Sequence, residues 1–482
     1  MAVNTDNPAA PSSAYEAMRP AWELVDDIRA GIDRVRAAGK RHLPQYEEED
    51  EAEYRRRLST APWRPEFNDA LRSLVSKPFS KDVALQGSIS QRIADIAEDV
   101  DTRGNSLTVF ARSLFEGGIA DGMGAILVDY PQVGDGITLA QERASGARPY
   151  WVSIPARSLI AVYTDIIDGK ETVTHARIRE RSVEREGFGE KTIDRVRVLE
   201  PGRWELWQAE TTGAAGPGYT SALTKVAEGR SSLGYVPLVL YYVGERDGAQ
   251  IVRPPLIDLA HMQIELYQAM SRKDEVLTFA ASPMLCGSGF VLEGDQRIPV
   301  GPKRVLYAPP DAGGSPTSWS YISPDAANIG QIREDIRDLI ADMRRLGMQP
   351  LTQQAGGITA TATSVESAKA HSALQTWAVG LKDALEQALA ITADWLGEKI
   401  EAEVFVDTDF VVGSGDSQEL TTLQSARTSR DISRDTYWDE LRRRGILGPQ
   451  FDKAVEADRL AKDDERVELT GDPLELEGAK NG

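Results

Sequence analysis

Apolar residues in the middle of the chain recur at helical spacing in two segments that frame a strand-rich insert. The first segment runs from about Leu256 to Leu277, and Pro254-Pro255 precedes it. Proline is tolerated at the start of a helix, because an N–H group there has no hydrogen-bond partner within the helix. The second segment repeats at spacings of 3, 4, 3, 4 and 3 through Ile329, Ile332, Ile336, Leu339, Met343 and Leu346. This heptad-like seam predicts a helix that packs against other helices, and the first segment is its natural partner within the chain.

A third helical pattern follows a loop that has few apolar anchors. Residues 348–362 are rich in Gln, Thr and Gly, and an unstructured loop of about 15 residues inside a compact domain indicates a function. Thr363-Ser-Val-Glu366 then has the form of a capping box, which predicts the start of a helix. The apolar pattern continues to Ile400, so the helix is expected to be about 50 Å long.

Between residues 149 and 243 the apolar period changes toward two, which predicts an antiparallel β region. The predicted strands are 150–154, 159–163, 172–179, 195–199, 204–208 and 236–242. Turn residues such as Asp168-Gly169 and Pro201-Gly202 separate them, and 211–220 is expected to be an exposed hairpin or loop. The insert at 282–323 is also predicted to be extended.

The two ends of the chain are mainly helical in pattern. Helical stripes cover 21–38, 67–75, 89–100 and 107–115, and a buried strand is predicted at 125–129. The charged run 47–57 is interpreted as a solvated helix face. A strand is predicted at 402–411 and charged helices after 416, with an acidic, disordered tail at 461–482.

Composition narrows the class of protein. A chain of 482 residues is long enough for two or more domains, and 41% hydrophobic residues are enough for folded cores. No apolar run is long enough to span a membrane and no secretory signal is visible, so we expect a cytosolic protein or one assembled in a cytosol. The formal charge of −20 argues against a surface that grips nucleic acid broadly, but not against one past which nucleic acid slides.

Motifs for bond chemistry are scarce. The sequence has no GxxxxGK[ST], GxGxxG or GxSxG motif, a single cysteine, Cys286, and four histidines without metal-site spacing. Asp407-Thr-Asp409 could place two carboxylates on one strand face for metal-assisted chemistry, although an Asp-x-Asp at a strand end is commonly just solvated and no third acidic or histidine ligand is evident nearby in the sequence. The arginines between 177 and 197 alternate with acids, which favours cross-strand ion pairs over a nucleic-acid patch. Tryptophans are interpreted as core and interface anchors: Trp63, Trp151, Trp204, Trp207 and Trp319.

The order of these parts resembles the portal proteins of tailed bacteriophages. Three pieces carry the likeness: LIDLAHMQIELYQ at 256–268, TATSVESAK at 361–369 and DISRDTYW at 431–438. The resemblance covers roughly residues 20–460 and implies an α+β, portal-like fold. Its implied parts are a disordered N-terminal arm (1–20), a helical and antiparallel-β wing (21–253), stem helices (254–281 and 324–346), a mixed α/β clip (282–323), a tunnel loop (347–362), a long helix and return strand of the wing (363–412), and a helical crown (413–460).

The resemblance also implies a function. A ring of identical subunits, usually twelve, would stand at one capsid vertex of a virion assembled in the host cytoplasm, and double-stranded DNA would be packaged and ejected through it. Terminase, head-completion or adaptor proteins and the major capsid or scaffold protein would be partners, with no membrane, cofactor or enzymatic activity. Two alternatives stay open: another virion connector or adaptor, and a metal-dependent nucleic-acid enzyme at Asp407 and Asp409.

Candidate site residues follow from the same layout. The tunnel loop would present polar residues without strong charge to DNA: Gln349, Thr352, Gln353, Gln354, Gly356, Gly357 and Thr359. Basic residues at the stem ends are candidates for phosphate contacts or intersubunit ion pairs: Arg272, Lys273, Arg344 and Arg345. The intersubunit seam would comprise Ile329, Ile332, Ile336, Leu339 and Met343.

Overall fold

The computed structural model describes residues 7–131, 146–209, 223–280, 284–288, 318–322, 327–347, 360–408, 417–443, 446–447, 451 and 453–470. The chain divides into two units, Met1–Thr408 and Asp409–Gly482. The first unit combines helices with antiparallel sheets, so the predicted α+β class is confirmed at that level.

Helices dominate the start of the first unit. They are α1 (Ser13–Ala30), α2 (Ile32–Ala37), α3 (Glu51–Thr60), α4 (Glu66–Ser76), α5 (Gln91–Glu98) and α6 (Leu107–Asp121), with a 3-10 turn at Gly39–Arg41. The expectation of disorder up to residue 20 is wrong for 13–20, because the Ser12 hydroxyl caps α1 by accepting from the Tyr15 N–H at 3.0 Å. The single stripe predicted over 21–38 is divided at Gly31, whose φ of 89° ends α1.

Two antiparallel sheets form the centre of this unit. Their strands are β2 (Met123–Asp129), β3 (Tyr150–Pro155), β4 (Leu159–Ile167), β5 (Lys170–Glu186), β6 (Gly189–Glu200), β7 (Arg203–Ala209), β8 (Leu223–Arg230) and β9 (Leu238–Tyr242). One sheet has the order β3-β2-β9 and the other β4-β5-β6-β7-β8. Two-stranded pairs complete it: β1 (Ala84–Ser88) with β14 (Glu401–Phe405), β10 (Glu245–Arg246) with β11 (Val252–Arg253), and β12 (Met284–Ser288) with β13 (Ser318–Ile322).

Strand β5 continues beyond its predicted end at residue 179 and forms a charged ribbon with β6. Arg181 pairs with Asp194 at 2.7 Å and Arg195 pairs with Glu184 at 3.2 Å. These contacts confirm the predicted cross-strand ion pairs. They also explain the extension, because opposite charges facing each other across the strands stabilise a ribbon that has few apolar residues.

The core between α1 and the two sheets is anchored by tryptophans. Trp22 is fully buried in this core. Trp151 is fully buried outside that cluster, where it packs against the Phe110 ring at a centroid distance of 5.5 Å and its indole N–H donates to the Thr392 hydroxyl at 2.8 Å. The prediction of a core anchor is therefore confirmed for Trp151. Trp204 and Trp207 are partly buried against the core that contains Trp22, and Trp63 packs edge-on against Tyr267.

Three long helices complete the first unit: α7 (Ile257–Ala280), α8 (Ala327–Leu346) and α9 (Ala360–Leu396). The capping box predicted at Thr363 is wrong, because α9 begins at Ala360 and Thr363 lies inside it. The second unit contains α10 (Ser417–Thr428), α11 (Arg434–Arg443) and α12 (Lys453–Thr470). Residues 461–470 are thus helical where a disordered tail was expected.

A buried carboxylate ends α6. Asp121 is 3% exposed, and within the described residues its Oδ1 atom has no hydrogen-bond partner. Burial raises the pKa of Asp121 from 3.8 to about 6. Because the folded chain then holds the proton more tightly than the unfolded chain, the free energy of unfolding falls as pH rises from about 4 to about 6 and stays low above that range.

Asp121→Asn is expected to raise the free energy of unfolding at pH 8 by roughly 1–3 kcal/mol, because the substitution removes a charge that folding must desolvate. Thermal unfolding at pH 4.5 and pH 8 tests this, with the exposed Asp95→Asn as control. The gain should appear at pH 8 and be much smaller at pH 4.5. Equal effects at the two pH values would contradict the assignment.

Candidate functional site

Helices α7 and α8 form an antiparallel pair. They contact each other, and the strands β12 and β13 join them, with Met284 opposite Ile322 at the helix end of the hairpin. The last turns of α7 and the first turns of α8 therefore meet at one end. The predicted packing of the heptad seam against the first segment is confirmed.

Burial divides this helix pair into two halves. The proximal half comprises the first turns of α7 and the last turns of α8, and in it Leu259, Leu266 and Met343 are almost completely buried. Among the described residues, no side chain of α7 after Ser271 and none of α8 before Ile336 is buried. These parts of the two helices, called the distal halves below, therefore extend away from the core, and part of the apolar seam lies on them.

The predicted seam residues differ in exposure along α8. Ile336 and Met343 are buried within the chain, at 8% and 1% exposed. Ile329, Ile332 and Leu339 are only half-buried. Part of the seam thus serves the core of one chain, and part of it lacks full cover from the described residues.

Two polar side chains, Gln263 of α7 and Arg344 of α8, fix the proximal half of the pair to α4 and the residues before it. The Gln263 side chain is fully buried; its Oε1 accepts from the Phe67 N–H at 3.0 Å and its Nε2 donates to the Arg64 carbonyl at 2.8 Å. Arg344 pairs with the buried carboxylate of Glu66 at 3.0 Å. The start of α4 is thereby tied to both helices, which gives the distal halves a rigid base.

The four basic residues predicted at the helix ends have different surroundings. Arg344 is paired with Glu66, and Arg345 is paired with Asp342 of its own helix at 3.1 Å. Within the described part of the chain, neither Arg272 nor Lys273 forms an ion pair. The predicted loop residues Gln349, Thr352, Gln353, Gln354, Gly356, Gly357 and Thr359 lie outside the described residues.

A groove of about 1040 Å³ lies between α3 and the α7–α8 pair. Its apolar lining consists of Ala269, Val276, Ile332, Ile336 and Leu339. Its charged lining consists of seven acidic residues, Glu48, Glu49, Glu53, Glu265, Asp274, Glu275 and Asp335, and three basic ones, Arg56, Arg57 and Arg272. The groove is therefore apolar inside and carries a net negative charge.

Arg57 at the wall of this groove corrects the interpretation of residues 47–57 as a solvated face. Its side chain is 4% exposed, and its guanidinium donates to both Glu49 carboxylate oxygens at 2.7 and 2.6 Å and to the Pro44 carbonyl at 2.7 Å. The Glu275 carboxylate lies 3.7 Å away, and the Tyr46 ring centroid 4.2 Å away. Arg57 thus connects α3 to the distal half of α7.

The electrostatics of this cluster agree with its geometry. The hydrogen bonds from Arg57 hold the pKa of Glu49 below its usual value, and the same contact raises the pKa of Arg57. Burial and the nearby Glu275 raise the pKa of Tyr46. The ion pair therefore stays charged across the neutral pH range. A sequence signal was present: Tyr54, Arg57, Leu58 and Ala61 share one helix face, which marks that face as inward.

Asp407, the centre of the metal-site alternative, has protein partners. It is 4% exposed, accepts from the Ser80 hydroxyl at 2.9 Å and lies 3.4 Å from the Lys81 ammonium. Asp409 lies outside the described residues, and within them no group of three or more His, Cys, Asp or Glu residues could hold a metal ion. No helix in the described ranges is long and apolar enough to cross a membrane.

Comparison with known proteins places similarity in the same region. Residues 255–396 match a family described as "Domain of unknown function (DUF4055)". No curated protein matches the chain.

Solved structures similar to the chain include parts of gene transfer agent (GTA) particles. One is described as the neck of the native GTA particle computed with C12 symmetry: 12% identity, TM-score 0.42, with 78% of this chain and 89% of that chain covered. Another is the neck of the empty particle computed with C6 symmetry: 13% identity, TM-score 0.41, with 85% and 90% covered. A third is the virion of the native particle: 12% identity, TM-score 0.37, with 91% and 99% covered.

Proposed function

We propose that the chain is a structural subunit of a phage-type virion that assembles into a portal-like ring around double-stranded DNA. The observation that carries this proposal is the helix pair that leaves the core with part of its apolar seam incompletely covered by the described residues. Ile329, Ile332 and Leu339 stay half-buried in a single chain, although the seam is continuous with the buried Ile336 and Met343. Contact between neighbouring copies would bury these side chains, and a ring is the closed form of such a repeated contact.

The sequence between α8 and α9 supports a channel role. Gln353, Gln354, Gly356 and Gly357 offer polar and backbone groups, and the segment 348–359 contains no Lys or Arg. A surface that touches a moving phosphate backbone should have few basic groups, because each phosphate neutralised deepens salt-dependent binding. The net charge of −20 fits the same requirement.

The remaining partners belong to the same proposal. The 282–323 insert at the distal end of the helix pair would meet terminase and later the head-completion proteins, and the sheet-rich part would face the capsid or scaffold protein. The motor would be a separate ATPase, which accords with the missing phosphate-binding motif in this chain.

Negative-stain microscopy and native mass spectrometry of the purified chain test the proposal. We expect rings with a central hole wide enough for a DNA duplex, in a closed stoichiometry near twelve. A population that stays monomeric or dimeric at high concentration, without such a hole, would contradict the proposed function.

Replacement of Gly356 and Gly357 by Val is expected to leave ring assembly intact and to reduce packaged DNA and infectious titre by roughly tenfold or more, because glycine permits close backbone approach that side chains block. Particle counts and packaged DNA length give the readout. Gly213→Val with Gly216→Val, in the predicted loop at 211–220, is the matched control. A titre equal to that of the control would count against a channel role for this loop.

A further inference from the structure

Charged and apolar residues are segregated around α8. At about 100° per residue, Arg333 and Arg337 lie within about 40° of each other on one flank. Ile332, Asp335 and Leu339, which line the groove, are centred about 145° away on the other flank. The buried Ile340 and Met343 lie between the two flanks, where α8 meets the rest of the chain. The helix therefore presents a basic side and a groove side in opposite directions.

The two arginines on the basic flank are available for contact. Both are exposed, and among the residues that the structure describes neither forms an ion pair. In contrast, Arg344 and Arg345 further along α8 are paired with Glu66 and Asp342.

The groove has complementary chemistry. Within the described ranges, five of its acids form no ion pair: Glu48, Glu53, Glu265, Asp274 and Asp335. Its apolar lining suits the aliphatic part of an arginine side chain, whose guanidinium can then reach the acids at the rim. Arg57 does not neutralise these five, because its guanidinium is held by Glu49 and lies beside Glu275.

We infer that Arg333 and Arg337 of one copy enter the acidic groove between α3 and the α7–α8 pair of the next copy. The inference rests on the proposed ring and names the contact that closes it. Because the basic flank and the groove are two different surfaces of the chain, the contact is head-to-tail and can repeat around a closed ring. The aliphatic parts of the incoming arginine side chains would also cover the half-buried Ile332 and Leu339 that line the groove, so the same contact pairs charges and buries apolar surface.

Charge reversal tests this contact. Arg333→Glu/Arg337→Glu and Glu48→Arg/Asp274→Arg should each reduce the fraction of chains in rings by roughly tenfold or more, because like charges would then face each other. An equimolar mixture of the two variants should assemble, since in alternating order each flank again meets a groove of opposite charge. Arg103→Glu/Arg112→Glu makes the same charge change on exposed residues of other segments and should assemble like the unaltered chain.

Mass photometry and negative-stain imaging give the readout, and circular dichroism confirms that each chain is folded. If a variant misfolds, the neutral pair Arg333→Gln/Arg337→Gln replaces it, with a smaller expected loss of rings. Rings that persist at the unaltered level in both reversal variants would overturn the contact and leave the proposed ring standing. Rings that persist but lose packaged DNA would assign the arginines to DNA and also overturn it. An unaltered chain that forms no rings would instead contradict the proposed function.

Discussion

Arg57→Met is expected to lower the free energy of unfolding of the first unit by about 3–5 kcal/mol, which is the usual cost of removing one partner from a buried ion pair. The substitution keeps most of the aliphatic volume, so the loss is electrostatic. It would leave the Glu49 carboxylate, whose side chain is 7% exposed, without the two hydrogen bonds that now hold its charge. The Pro44 carbonyl would lose its donor as well.

Urea unfolding followed by tryptophan fluorescence measures this loss. Arg56→Met is the matched control, since Arg56 is the preceding residue of the same helix, is exposed, and forms no ion pair within the described part of the chain. Replacing both partners, Arg57→Met with Glu49→Gln, should recover part of the stability because no buried charge is then left unpaired. If Arg57→Met and Arg56→Met had the same stability, Arg57 could not be the link between α3 and α7.

The course of α8 could be predicted from sequence because its apolar spacing is regular. Ile336 and Met343 are two helical turns apart, and this period alone identifies both the helix and the face that meets α7.

The strands of the β region could also be predicted from sequence, since β-branched residues and turns such as Asp168-Gly169 mark them. Both residues of that turn have positive φ, 51° and 75°, as a tight hairpin requires.

The role of Arg57 could not be predicted in the same way. Among the three consecutive arginines, 55 to 57, the helix face shared with Tyr54 and Leu58 marks Arg57 as the inward one, but it does not identify the partners of the Arg57 guanidinium. Its partner Glu275 is far along the chain, so local patterns contain no information on the contact. The groove depends on the same long-range packing, because α3 and α7, which form two of its walls, are distant in sequence.

The beginning of α9 shows a different limit. Thr363 and Glu366 have the right spacing for a capping box, yet the helix begins at Ala360. Alanine has the highest helix propensity, and the segment from Ala360 contains two alanines before Thr363, so the helix extends past the capping signal. Local capping preferences are worth about 1 kcal/mol, which the propagation of a long helix can outweigh.

The exposed and buried parts of the α8 seam should respond differently to a carboxylate. Leu339→Asp and Ile332→Asp alter half-buried side chains in the groove, so the unfolding free energy of the isolated chain should change by about 1 kcal/mol or less. The same carboxylates would be desolvated in the proposed ring contact, at a cost of a few kcal/mol each, and ring formation should fall by roughly tenfold or more.

Ile336→Asp should instead lose both properties, because Ile336 is only 8% exposed within one chain and also lines the groove. We expect it to destabilise the isolated chain by about 2–4 kcal/mol in addition to abolishing rings. Urea unfolding of each chain and mass photometry separate the two effects, and Ile332→Val, which keeps an apolar side chain, should retain rings. Normal assembly of Leu339→Asp and Ile332→Asp would place this part of the seam on a solvent-facing surface. The uncovered apolar side chains would then no longer support a ring.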